Sequence, residues 1–207
     1  MLVNVCLIVV LVIGISALFW FMVKTSAAKI TAQYQILSER FGLEYHEPAP
    51  QLAGFIRAEP YVHGSFRGRE MSISVPGKGL QNTRQIETVL KLAVEDLGAF
   101  TMQMTVTGVL GSFRQRDSGQ QRWMSGDREF DHMVDVRTSD GVKLAMLLGA
   151  EGQRIFADLL QGSKATIYVA KGTIAYTELG LIADGAVRER FEKAAEVLCD
   201  FAETLES

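Results

Sequence analysis

From Leu2 to Val23 the chain carries no charged side chain, and its only polar ones are Asn4 and Ser16. About 20 apolar residues at 1.5 Å each cross a hydrocarbon core of roughly 30 Å. A helix satisfies its own backbone groups in lipid, so this pattern predicts one transmembrane helix over 2–23. Phe19, Trp20 and Phe21 cluster towards its far end, where aromatic rings favour the headgroup level. Beyond it, Ile30, Tyr34, Leu37 and Phe41 recur at spacings of four, three and four, one stripe of a helix, with Lys29, Gln33 and Arg40 on its polar face. This predicts a helical stalk over 24–42 that ends at Gly42. A water-soluble domain over 43–207 follows.

Within that domain the period changes repeatedly. Residues 46–59 hold Pro48, Pro50 and Gly54 and read as an irregular connection. Residues 69–75 alternate Met71, Ile73 and Val75 against Glu70, Ser72 and Ser74, and Pro76-Gly77-Lys78-Gly79 breaks the run. Leu90, Leu92 and Val94 share one face over 87–96. Met102, Met104 and Val106 do so over 101–107. A Gly-, Arg- and Gln-rich loop over 108–126 precedes an expected strand at 130–138. Residues 142–160 read as one or two helices broken near Gly149 and Gly152. Runs at 164–170 and 173–179, joined by Lys171-Gly172, read as a hairpin. After Asp184, a plausible N-cap, Val187, Phe191, Ala194, Leu198, Phe201 and Leu205 trace an amphipathic helix. The fold class is therefore α+β: an antiparallel or mixed sheet domain with a C-terminal amphipathic helix, behind a membrane helix and stalk.

Composition changes this picture little: 48% hydrophobic, 22% charged and a formal net charge of -3 over 207 residues. A cleaved signal peptide competes with the anchor, and Thr25-Ser26-Ala27-Ala28 offers small residues for cleavage. However, no Lys or Arg precedes the apolar run, which is longer than the 7–15 residues typical of a signal-peptide core. Lys24 and Lys29 follow it, and retained positive flanks place the domain in the cytoplasm at the inner (plasma) membrane. Cys6 lies in the apolar run and Cys199 far along the chain, so no disulfide framework is expected.

Acidic residues concentrate between Ser125 and Asp140. Strand alternation explains Asp131 and Asp135 as solvated polar-face residues and puts His132 on the apolar face. A divalent cation held by Asp127, Asp131 and Asp135 is the competing reading, since hard cations take carboxylate oxygens. A calcium loop fails: counting from Asp127, its sixth position is His132 and its twelfth Thr138. With His46, His63 and His132 as the only histidines and no His/Cys pair at ligand spacing, zinc is not expected. Gly126-Asp127 with Phe130-Asp131 resembles a G-D-x-x-F-D stretch of uncharacterised bacterial proteins that also have an N-terminal membrane helix. The resemblance extends in layout over residues 40–205. It implies a bacterial membrane-anchored domain and no particular chemistry.

Pro76-Gly77-Lys78-Gly79 lacks the spacing of a phosphate loop, and no G-x-S-x-G elbow occurs. No cofactor is called for. Residues 55–91 carry Arg57, Arg67, Arg69, Lys78, Arg84 and Lys91 against Glu59, Glu70 and Glu87, net +3; residues 178–207 carry a net of -5. Nucleic acid would need a larger basic surface; six cations against three anions read first as an ordinary solvated mixture, with contact to anionic lipid as the alternative. The expected partners are the bilayer, through Leu2 to Val23, and another protein. The leading reading is a membrane-tethered cytoplasmic interaction or scaffolding domain without catalysis. A carboxylate- or metal-dependent enzyme and a sensor of a small ligand or lipid headgroup are the alternatives.

Overall fold

The computed structural model describes residues 2–49, 58–76, 86–95, 98–107 and 119–206. The Gly77-Lys78-Gly79 break, most of the irregular connection and most of the loop over 108–126 lie outside them. Helix α1 spans Leu2–Phe41 without interruption. Strands β1 (Glu44–His46), β2 (Tyr61–Phe66), β3 (Arg69–Ser74), β4 (Glu87–Ala93), β5 (Met102–Val106) and β6 (Gln121–Trp123) follow. Then come α2 (Arg128–Met133), β7 (Val134–Thr138), α3 (Gly141–Leu147), α4 (Ala150–Leu160), β8 (Ala165–Ala170), β9 (Thr173–Leu179) and α5 (Gly185–Glu206).

Among the described residues these strands form one antiparallel sheet in the order β1-β2-β3-β4-β9-β8-β5-β7-β6. The β8–β9 hairpin thus inserts between β4 and β5. Its turn, Lys171-Gly172, has φ of 49° and 70°, and Arg67-Gly68 between β2 and β3 has 50° and 79°. Two successive positive φ values match the right-handed strand twist and suit a glycine at the second position.

Register explains the core. Val62, Ile73, Leu90, Tyr176, Ile167, Met104, Val136 and Trp123 face one another strand by strand across the sheet. With the row through Met71, Leu92, Ile174, Val169 and Met102, they make one apolar face that α1, α4 and α5 cover. Edge-to-face rings lock helix to sheet and helix to helix: Tyr176–Phe191 at 5.2 Å and Phe156–Phe201 at 5.1 Å.

Four expectations need correction. The run over 130–138 is not one strand: α2 occupies its first part and β7 begins at Val134, so His132 is exposed rather than on a core face. Residues 121–123, read as part of a loop, are strand β6, and residues 61–66, which the sequence pattern did not assign, are strand β2. The segment expected as a stalk is packed into the domain, with Ile30, Tyr34, Leu37 and Phe41 all within the core. The helix pair over 142–160 breaks at Leu148-Gly149 alone, Gly152 lying inside α4.

Candidate functional site

Helix α1 is the one helix among the described residues long and apolar enough to cross a membrane. Its apolar half stands clear of the domain: Leu18, Phe19, Trp20, Phe21 and Met22 are exposed, and Lys24 Nζ sits 4.9 Å over the Trp20 ring. The second half is fastened to α5. Arg40 reaches Glu192 at 3.3 Å and Glu196 at 3.0 Å, and Gln33 Oε1 accepts from Arg188 Nε at 3.1 Å, while Arg188 also pairs with Glu192. The exposed apolar segment and the domain are thus joined by one continuous helix, whose second half is held by a buried stripe and a polar seam.

The oppositely charged segments of the chain meet on α5. Arg67 binds Asp200 at 2.6 Å and Glu203 at 2.8 Å. Arg69 forks onto Glu206 at 2.6 and 2.5 Å. Glu206 also accepts from the Glu95 amide at 2.8 Å. Arg69 first, then that amide, hold the Glu206 carboxyl below its ordinary range. These arginines are therefore committed to the fold. Deeper, Glu178 is buried and takes Arg190 Nη2 at 2.5 Å and the Tyr176 hydroxyl at 2.7 Å. Burial, then the Glu178 charge, push the Tyr176 phenol far up; burial does the same to Tyr34. The Cys199 thiol is buried in α5, and burial raises it, so it is no poised nucleophile.

The acidic segment is organised by its own backbone. Asp127 caps α2, accepting from Glu129 N at 2.8 Å and Phe130 N at 3.2 Å. Asp131 turns back to accept from Ser125 N at 2.8 Å and Gly126 N at 3.1 Å, and Phe130 plugs the core. The G-D-x-x-F-D pattern is thereby accounted for as a self-capped turn and helix. Asp135 instead faces Arg122 at 3.1 Å and Arg137 at 3.5 Å. Asp140 caps α3. The three candidate carboxylates thus serve two backbone turns and one ion-pair cluster, with no shared focus.

Ligand-type side chains do converge elsewhere, at the β1 edge. Glu44 lies opposite His63, and His46 opposite Tyr61, so all four share one face. Ligand atoms of Glu44, His46 and His63 lie within 4.8 Å of one another. Sequence reasoning missed this group because only strand pairing brings His46 and His63 together. The Arg67-Gly68 turn signal, which makes residues 61–66 a strand, could have pointed to it.

No family model matches this chain, and no curated protein does. Among solved structures it is similar to the mycobacterial trehalose monomycolate transport factor A, TtfA, with a TM-score of 0.57 at 10% identity, over 85% of this chain and 94% of that one. At that identity the likeness concerns the fold.

Proposed function

We propose that this chain is a membrane-tethered accessory domain of the inner (plasma) membrane, facing the cytoplasm and acting by interaction with a membrane protein of a transport system. The observation that carries the reading is α1. One helix runs from exposed apolar residues into the domain core, which supports a sheet carried close to the bilayer rather than on a flexible leash. Lys24 and Lys29 just beyond the apolar run favour the cytoplasmic orientation, and the likeness to a transport factor supports the accessory role. The carboxylate enzyme reading has less support, because Asp127, Asp131 and Asp135 are each engaged by local groups. So has headgroup sensing through the basic strands, because Arg67 and Arg69 bind α5.

C-terminal fusions to alkaline phosphatase and to a green fluorescent protein test the orientation, with fluorescence and no phosphatase activity expected. Phosphatase activity with dark fluorescence would refute it. A photo-crosslinking residue at Met146, 84% exposed on α3 beside exposed Val142, tests the role in intact cells. Adducts with an integral membrane transport protein are expected, and adducts confined to soluble proteins would count against the accessory reading.

A further inference from the structure

We propose that Glu44, His46 and His63 form a binding site for a divalent transition metal of the zinc class, clipping the edge strand β1 to β2. Two imidazoles and one carboxylate are ligands that such an ion takes, and a protein set of three leaves a coordination position for water. The spacing is already close to what the ion needs. Glu44 Oε2 stands 3.6 Å from His46 Nε2 and 3.9 Å from His63 Nδ1. Ligand bonds of 2.0–2.1 Å in a tetrahedron place neighbouring ligand atoms about 3.3 Å apart. All three ligand atoms lie within 4.8 Å of one another, so side-chain rotation has to draw them together around the ion.

The scaffold around these atoms is fixed. The Tyr61 ring stacks on His46 at 5.1 Å and 13°, and His63 meets His46 edge-on at 4.7 Å. Gly64, next to His63, lets the chains approach: a Cβ there would meet Leu43 Cδ2 at 3.3 Å and Leu43 Cα at 3.4 Å. Although the His46 ring as a whole is half-exposed, its Nε2 is shut off from solvent and makes no hydrogen bond. A polar nitrogen withdrawn from water without a partner costs free energy, which a metal at that point offsets. Glu44 is exposed, so the ion has an entry path from solvent.

The consequence lies at the joint between membrane helix and sheet. Strand β1 follows α1 after the two residues Gly42 and Leu43 and pairs through only three residues with β2. A metal bridging both strands would fasten the first strand after the membrane helix, so occupancy would stiffen that junction.

The test uses the full chain in detergent micelles, stripped of metal with a chelator. Zinc chloride is titrated against a chromophoric competitor, and cobalt chloride is followed by visible absorption. One zinc per chain and an intense tetrahedral cobalt band are expected. His46→Ala and His63→Ala should each weaken zinc binding at least tenfold, Glu44→Gln should weaken it less, and His132→Ala should leave it unchanged. Melting of the metal-free variants should match that of the metal-free parent, since these side chains are half-exposed, and the rise in melting temperature on adding zinc should vanish in His46→Ala/His63→Ala. Zinc binding that persists unchanged in that double variant, or a parent chain that binds no zinc against the competitor, would overturn the proposal. Neither result bears on the membrane accessory role, which is read from reporters and crosslinks.

Discussion

Residues 24–42 should be required for the domain to fold, which a comparison of two soluble fragments, 24–207 and 43–207, can decide. The shorter one removes Ile30, Tyr34, Leu37 and Phe41, whose exposures are 6%, 0%, 0% and 6%. Burying an Ile, Leu or Phe side chain contributes about 1.5–3 kcal/mol, hence about 4–9 kcal/mol for Ile30, Leu37 and Phe41 together before Tyr34 is counted. Total stability of a domain is about 5–15 kcal/mol. Truncation also strips the Arg40 and Gln33 contacts with α5 and the bond from Ser38 Oγ to the Leu43 carbonyl at 2.6 Å. It uncovers, besides, the apolar sheet face near β2 that α1 covers. Urea unfolding followed by circular dichroism should show a cooperative transition for 24–207. For 43–207 it should show none, or a stability lower by several kcal/mol. At roughly 2–4 °C per kcal/mol for a domain of this size, the melting temperature should fall by at least 8 °C. A 43–207 fragment that melts within 2–3 °C of the longer one would refute the reasoning, and would mean that the helix merely rests on a self-sufficient sheet.

Arg190→Ala should destabilise by about 3 kcal/mol, the lower end for a broken buried pair because Arg190 is a third exposed, and adding Glu178→Gln should recover part of the loss in urea melts. Glu206→Gln should lower the melting temperature at neutral pH. Because the folded-state carboxyl of Glu206 titrates below its unfolded value, its contribution is present above about pH 4.3 and fades as pH falls through the folded value. The difference between parent and variant should therefore shrink in acid; a difference independent of pH would contradict the assignment. Asp127→Ala removes the cap of a six-residue helix and should cost about 0.5–2 kcal/mol in thermal melts, with zinc binding unaffected. A loss of zinc affinity in that variant would relocate the metal site.

Much of the architecture was legible in the chain because periodicity is a local property. The helix over the apolar run from Leu2 to Val23, the α5 stripe from Val187 to Leu205 with its Asp184 cap, and the Lys171-Gly172 hairpin each announce themselves within a few residues, and each of these elements is present in the fold. Strand β2 was harder, since Gly64 interrupts its alternation, and β6 is a three-residue edge strand with no period to detect. At 128–133 two signals competed. Alternation favoured a strand, but the Asp127 side chain satisfies two helix amides, and that short-range bonding prevailed.

What one stretch of chain could not announce was where its side chains would find partners. The +3 and -5 segments looked like separate surfaces until the fold set Arg67 and Arg69 against Asp200, Glu203 and Glu206. The stripe from Ile30 to Phe41 looked like the face of a stalk, and only packing on the sheet made it core. His46 and His63 are distant in sequence and become neighbours through the β1–β2 register alone. Helical and strand periods arise from the backbone geometry of each segment, so the sequence by itself determined most of the elements. Charge pairing, burial and ligand clustering depend on distances between segments, which exist only once the sheet has closed and its helices have docked.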